Sequence, residues 1–469
     1  MKMVLAIIIC KLLYLTERLI GKGSSLPGVI ALKLCPDILR RIKLPEKIIA
    51  VTGSNGKTTT AQMLARALEA DGKSVALNIE GSNQIGGITT LLLRHSRLQG
   101  SMKCDVIVME CDERHAKSIF EIIRPDIVLI TNLCRDQLTR NGHPEFVLDA
   151  LKAAIKAAGD NALLVLNADE PYCVSLATMK VIYYGIASTA VRQASGAGVY
   201  DDGAFCPRCK APMRYDYRLV SHFGSFECSE CGYKRAIPDV ELTALDYNSG
   251  AVRISVGEST TQNKSTIQNK TKTLNNTKEA HSEICARLIM PGLTGAYNIT
   301  AAIAGAVAAS GHAQTAAQGL DLYKPKGGRT VDLNINGRRG TLLVSKHENS
   351  LSYNQSMEYI IGLGIDCTVI IMVDSISRKY YTSDTSWLWD IDFDILARDT
   401  VKNIVLTGQY GSDLAARFAM SSIDMAKVAC VDDYTNIREL LSSETSGEIF
   451  ALTCFSDKAK LLKALRRRK

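Results

Sequence analysis

Missing from this 469-residue chain is any strong excess of charge: 56 lysines and arginines stand against 48 aspartates and glutamates, a formal +8. Missing too are basic stripes interleaved with aromatics, the pattern that nucleic-acid binding favours, so no nucleic-acid partner is expected. The terminal run Leu465, Arg466, Arg467, Arg468, Lys469 reads as a solvated tail. No internal repeat is present, which sets aside an array of stacked units. The opening apolar run, Met3 to Cys10, stops at Lys11 and is followed by no small-residue cleavage site. A spanning helix needs about 20 apolar residues, so neither a signal peptide nor a span is expected there. Leu12, Leu13, Leu15, Leu19 and Ile20 continue at helical spacing, which suits an amphipathic helix packing on the body in preference to touching a membrane surface. Disulfides are not expected either. Ten of the fourteen cysteines are scattered singly, many in apolar runs such as Ile9-Cys10 and Ile284-Cys285, which suits a reducing compartment. The chain reads as cytoplasmic, with at most peripheral contact at the inner face of the membrane.

What is present is an ordinary globular composition, 46% hydrophobic and 22% charged, long enough for two or three domains. Residues 1–45 read as a helical lead-in ending near Pro45. From Lys47 short apolar runs alternate with helical patterns: Ile48–Val51, Val106–Met109, Ile127–Ile130 and Ala162–Leu166 are strand candidates, and 58–70 carries a helical face. That alternation predicts an α/β domain with a parallel, doubly wound sheet over 46–318. Two insertions interrupt it: 200–237, which holds paired cysteines, and 257–284, a polar loop rich in Thr, Asn, Lys and Gln that is expected to be disordered. An alanine-rich helix from Asn298 to about Ala309 closes the domain. A second domain is expected over 319–469; within it, beyond a hinge at Pro325-Lys326-Gly327-Gly328, an α/β pattern begins, with strands near 341–345, 368–373, 403–407 and 449–453.

Thr52-Gly53-Ser54-Asn55-Gly56-Lys57-Thr58-Thr59-Thr60 lies between a predicted strand and a predicted helix. Glycines let the backbone curl so that N–H groups face phosphate oxygens, and the helix N-terminus adds a favourable dipole. Lys57, read as a solvated side chain, reaches the β/γ-phosphates, and Thr58 can ligate Mg²⁺. The bland alternative, a Gly-rich turn that binds nothing, fits the strand–loop–helix placement poorly. Cys206-Pro-Arg-Cys209 and Cys228-Ser-Glu-Cys231 form two knuckles eighteen residues apart. Four thiolates at this spacing are the ligands of a tetrahedral structural zinc, with no coordination position left for catalysis. A redox dithiol and a nucleic-acid-binding ribbon are the rivals.

The short loop TGSNGKTT resembles the ATP loop of Mur ligases and of folylpolyglutamate synthetases. Further stretches resemble the same family in order: Glu110 at its second Mg²⁺ ligand, Thr131-Asn132 through Asp136-Gln137, Leu166-Asn167-Ala168-Asp169-Glu170-Pro171, and Gly295-Ala296-Tyr297-Asn298. The resemblance implies that Gly53, Ser54, Asn55, Gly56, Lys57, Thr58, Thr59 and Asn298 bind ATP, with Mg²⁺ on Thr58 and Glu110. It also implies the fold: a Mur-ligase-type central ATPase domain with a parallel sheet and an inserted four-cysteine zinc ribbon, plus a C-terminal α/β domain.

The ribbon and the segment Asp384-Thr385-Ser386-Trp387-Leu388-Trp389-Asp390 resemble the MurT family, the ligase subunits of lipid II isoglutaminyl synthases. Ser24–Gly28, the stretch Asn349 to Gln355, and Gly408 with Asp413 and Arg417 agree. Two stretches depart from the family: Asn349-Ser350-Leu351-Ser352-Tyr353-Asn354-Gln355 where it reads NPAGFNQ, and Tyr380-Tyr381-Thr382-Ser383 where it has an Ala-Asp-Gly turn. The resemblance implies ATP-dependent amidation of the D-glutamate α-carboxylate of the lipid II peptide stem through an acyl phosphate. Ammonia would come from a class I, GatD-like glutaminase in a heterodimer, since no cysteine here sits in a Gly-rich strand-to-helix elbow. The family's ligase lends that glutaminase an aspartate that orients its histidine. Asp384 is the candidate and Asp390 the reserve, while a helix cap near Ser386 is the alternative for Asp384. The alternative reading of the whole is a stand-alone Mur-type or folylpolyglutamate-type amino acid ligase.

Overall fold

Aliphatic runs make the middle of the main sheet. Lys47–Thr52 pairs in parallel with Val106–Glu110 on one side and Ile127–Ile130 on the other. Every residue of the three except Lys47 is buried, as for strands covered on both faces. Side chains alternate between two cores. Ile49, Val51, Val108 and Leu129 face the helices Lys57–Ala70 and Gly292–Ser310; Ile48, Ala50, Ile107 and Met109 face Lys2–Ile20, Ile85–His95 and Pro144–Ala158. The computed structural model describes all residues except 21–24, 79–81, 136–142, 192–195, 248, 258–280, 289, 291, 324–329, 376–383 and 467–469.

From edge to edge this nine-stranded sheet runs His281–Arg287, Ala251–Gly257, Val240–Leu245, Val181–Ile186, Leu163–Asn167, Ile127–Ile130, Lys47–Thr52, Val106–Glu110 and Val75–Leu77. The seven strands from Val240–Leu245 onward are mutually parallel. The other two are antiparallel, an edge that the parallel expectation lacked. It also corrects the polar loop expected over 257–284. Gly257 and residues 281–284 are strand, with Gly257 opposite His281 and Ile254 opposite Ile284. Cross-strand pairing buries Ile284, so its β-branched side chain belongs to the core and not to the polar stretch before it. The remainder of that loop and the hinge 325–328 lie outside the described residues.

Between Val181–Ile186 and Val240–Leu245 the chain leaves the sheet to form a separate hairpin, Met213–Val220 with Phe223–Cys228. The C-terminal sheet is ordered Thr330–Ile335, Arg338–Ser345, Glu448–Cys454, Cys367–Met372, Val401–Thr407 and Val428–Val431. Only its first pair is antiparallel.

Candidate functional site

Strand Lys47–Thr52 ends at residues 53–56, and helix Lys57–Ala70 starts directly after them. Gly53 and Gly56 have φ of +120° and +83°. A Cβ at Gly53 would lie 2.3 Å from Thr131 Oγ1, and one at Gly56 would lie 2.2 Å from Asn298 Oδ1. Both the backbone conformation and the space therefore demand glycine. Two loop amides are already engaged: Ser54 N–H donates to Asn132 O at 2.7 Å and Asn55 N–H to Asn132 Oδ1 at 3.0 Å. The N–H groups of the helix's first turn, which have no partner within the helix, are left to face an anion.

Lys57 is not solvated, contrary to expectation. Its ammonium donates to Glu113 Oε1 at 2.6 Å, to Ser54 O at 3.3 Å and to Gly53 O, and both members of the Lys57–Glu113 pair are buried. A buried ammonium without such a partner would cost several kcal/mol, and Glu113 supplies the counter-charge for Lys57 at the loop. The sequence reading passed over Glu113, although its place three residues after Glu110 at the end of a buried strand could have marked it.

Glu110 is buried directly beside the loop, paired in register with Val51. Its Oε1 accepts from Asn83 Nδ2 at 3.3 Å, while its Oε2 is buried without a hydrogen-bond partner. An orphaned carboxylate oxygen at that position suits a hard divalent cation, with the half-buried Thr58 hydroxyl as the second protein ligand. Asn298 is likewise incomplete: Oδ1 accepts from Thr60 Oγ1 at 3.3 Å, but Nδ2 is buried with no partner, as is Nδ2 of Asn55. These unspent polar atoms fit a nucleotide and its metal.

The C-terminal domain reaches the same loop. Lys346 Nζ donates to Ser54 O at 3.1 Å, and Asn349 Nδ2 donates to Asn55 Oδ1 at 2.9 Å. Asn349 also caps helix Ser350–Gly362, its Oδ1 accepting from Ser352 N–H at 2.8 Å. Lys346 was not singled out in the sequence. Its only signal was a basic residue three positions before Asn349.

The four paired cysteines converge. All their sulfurs lie within 4.8 Å of one another, with Cys206–Cys231 at 3.7 Å and Cys209–Cys228 at 3.5 Å. A tetrahedron with zinc–sulfur bonds of about 2.3 Å has edges of about 3.8 Å. The knuckles also match in backbone: Lys210 and Gly232 have φ of +65° and +66°, and donate to Cys206 O and Cys228 O at 2.8 and 3.0 Å. The donor set fits a zinc ion.

Asp169 and Glu170, within the family-like stretch Leu166–Pro171, tie this ribbon down. Asp169 accepts from Arg235 Nε at 2.7 Å, Ile186 N–H at 2.8 Å and the Tyr297 hydroxyl at 2.9 Å. Glu170 caps the short helix Pro171–Ser175 and contacts His222 Nε2 at 3.1 Å, both side chains fully buried.

Comparison with known proteins follows this division. The Mur ligase middle domain matches residues 51–207, and the MurT ligase C-terminal domain matches residues 347–456. Residues 51–207 thus form a domain of the Mur ligase kind, and residues 347–456 a C-terminal domain of the MurT kind. It is 25% identical over 466 residues to the MurT subunit of lipid II isoglutaminyl synthase (glutamine-hydrolyzing) from Staphylococcus aureus (strain COL), covering 98% of this chain and 97% of that one. To the like-named subunit of Streptococcus pneumoniae (strain ATCC BAA-255 / R6) it is 26% identical, covering 93% and 91%. Among solved structures it resembles a pseudomurein peptide ligase type C from Methanothermus fervidus, with a TM-score of 0.65 at 18% identity, covering 92% of this chain and 81% of that one. That likeness establishes a shared Mur ligase fold.

Within the MurT-type C-terminal domain the DTSW segment divides its two candidate carboxylates. Asp384 is exposed, and its Oδ1 accepts from Ser386 N–H at 2.9 Å at the start of the short helix Ser386–Asp390. Hydrogen bonding from the Ser386 side chain, and then from its N–H, lowers the Asp384 pKa and favours the ionised form. Asp390 is half-buried and lines a cleft against the central domain with Arg135, Asp202 and Asn354; burial raises its pKa against the pull of the nearby Arg135. The altered turn 380–383 and the residues Asp136 and Gln137 lie outside the described residues.

Proposed function

We propose that this ligase amidates the D-glutamate α-carboxylate of the lipid II peptide stem, using ATP and ammonia delivered by a GatD-like glutaminase subunit at the cytoplasmic face of the membrane. The observation that carries the ATP half is the convergence of both domains on residues 53–57, with buried polar atoms of Glu110, Asn55 and Asn298 left without partners there. The acceptor, the amide product and the partner rest on the MurT relatives over nearly the whole chain.

In this reading a carboxylate oxygen of the acceptor attacks the γ-phosphorus of ATP, and the bond to the β-phosphate oxygen breaks as ADP leaves. Ammonia then attacks the acyl carbon, the bond to the phosphate oxygen breaks, and the nitrogen loses a proton. Lys57 supplies fixed positive charge where phosphoryl charge develops, with Glu113 holding its position. Lys346, arriving from the other domain, adds a second cation beside Ser54. Mg²⁺, when bound by Thr58 and Glu110, supplies charge neutralisation at the phosphates. The zinc held by the four cysteines would be structural. Asp384 would orient the partner's catalytic histidine, for which an exposed, ionised carboxylate is suited; Asp390 faces this chain's own cleft.

The decisive experiment is mass spectrometry of lipid II after incubation with ATP, Mg²⁺ and ammonium. Conversion of the D-glutamate carboxylate to the amide is the expected result. Consumption of an amino acid in place of ammonia would select the alternative amino acid ligase, and no reaction of lipid II with either would exclude the acceptor.

A further inference from the structure

We infer that the two N-terminal helices form a docking face for an anionic lipid bilayer. The helix Lys2–Ile20 is used on one side only. Ala6, Ile7 and Cys10 are fully buried against the body, in the core shared with helices Leu26–Leu34 and Ile85–His95. On the other side Leu5, Ile8, Leu12, Leu15 and Leu19 repeat every three or four residues and stay exposed, Leu12 at 58%, Leu15 at 55% and Leu19 at 88%. The adjoining helix Leu26–Leu34 exposes Leu26, Val29 and Leu34. Scattered exposed leucines are normal; a ruled line of five along one helix marks an interface.

The charge around this line chooses the occupant. Residues 1–43 hold eight lysines and arginines against two acids, so this short segment supplies six of the eight net positive charges of the whole chain. Lys2, Arg18, Lys33, Arg40, Arg41 and Lys43 are exposed. An apolar line set among basic residues is the pattern of helices that lie in a membrane interface, where leucines enter the acyl boundary and cations meet anionic headgroups. The same spacing could seat a second copy as a coiled-coil seam, but that would press six positive charges against six. The helix itself carries Lys2, Lys11, Glu17 and Arg18, charges that a spanning segment avoids. Among the described residues only Gly292–Ser310 is long and apolar enough to cross a membrane, and it is the buried core helix.

The face lies close to the site. Helix Ile85–His95, which packs against both N-terminal helices, begins just after Asn83, the residue bonded to Glu110. A membrane-bound chain would therefore hold its phosphate loop one helix away from the lipid surface. The inference does not depend on the acceptor's identity.

The test is co-sedimentation of the full-length chain with phosphatidylcholine vesicles, with and without phosphatidylglycerol, all free of lipid II. The wild type is expected to bind the anionic vesicles at least about tenfold better, with affinity falling as salt rises. Leu12→Glu with Leu15→Glu should lower that binding about tenfold or more, leaving ATP hydrolysis and monomer mass by light scattering unchanged. Should that variant misfold, Arg18→Glu with Lys33→Glu, at exposed polar positions, must weaken binding in its place. Wild-type protein left in the supernatant, equal binding by folded variants, or a dimer that Leu12→Glu and Leu15→Glu dissolve would each overturn the inference.

Discussion

Asn349 Nδ2 donates to Asn55 Oδ1 across 2.9 Å, so a helix cap of the C-terminal domain is also a contact to the phosphate loop of the central domain. Its two functions use different atoms and can be separated. Asn349→Ala removes both: loss of the cap costs about 1 kcal/mol, and kcat/KM for ATP should fall roughly tenfold as the loop loses a buried partner. Asn349→Asp keeps an oxygen for Ser352 N–H but sets a carboxylate against Asn55 Oδ1. Its melting temperature should stay near wild type while ATP turnover falls. Thermal melts and ATPase kinetics on the two variants check the separation.

Lys57 and Glu113 make a second coupled pair. Lys57→Ala should abolish ATP turnover and also destabilise the fold by roughly 3 kcal/mol, because it strands the Glu113 carboxylate in a buried position. Lys57→Ala combined with Glu113→Gln should recover most of the stability and none of the activity. A single variant as stable as wild type, measured by urea denaturation, would show that Glu113 finds another partner.

How much of this could be read from the sequence depends on the distance over which each feature is specified. The strand–loop–helix at 47–70 and the two cysteine knuckles are local. Gly53 and Gly56 occupy positions where only glycine serves, and each CxxC sets its own turn. The antiparallel edge strand from His281 was missed because it follows a polar stretch, and only pairing with Ala251–Gly257 gives its apolar residues a face to bury. Glu113 and Lys346 were missed for a related reason. A lone charged residue carries no period or spacing, and its function arises only when the fold brings it to residue 54 or 57. The solvated reading of Lys57 failed in the same way.

Zinc should be recoverable at about one ion per chain by elemental analysis. Cys209→Ser should lower zinc content and melting temperature together, because the cysteine end of the hairpin has only a small cluster of its own, Cys206, Phe226, Cys228 and Tyr233 with Val174, while Leu219, Val220 and Phe223 pack into the main core. A chelator should have the same effect on the wild type. Damage should spread beyond the ribbon. His222 and Arg235 leave it to meet Glu170 and Asp169, and Asp169 also holds Tyr297, the neighbour of Asn298. KM for ATP is therefore expected to rise in the zinc-depleted protein. An unchanged KM with zinc gone would show the ribbon to be energetically separate from the nucleotide site.

Asp384 offers the sharpest division between two activities. Its Oδ1 is occupied by Ser386 N–H, yet a carboxylate has a second oxygen, and the residue is exposed on a domain of the MurT kind. If that oxygen orients a histidine of a partner glutaminase, Asp384→Asn must remove the carboxylate that fixes the histidine's tautomer and stabilises its charged form. Glutamine-dependent amidation by the complex should then fall steeply, on the order of a hundredfold or more. Amidation driven by added ammonium should persist within a few-fold, because residues 53–57 and Glu110 belong to the other domain. Asparagine can still accept from Ser386 N–H, so the local turn survives and a structural explanation predicts little change in either activity. Loss of both activities would instead mean that the segment 384–390 supports the cleft through Asp390, beside Arg135 and Asp202. An effect on glutamine use alone, with the complex still intact by size-exclusion chromatography, is the outcome expected of a carboxylate shared between subunits.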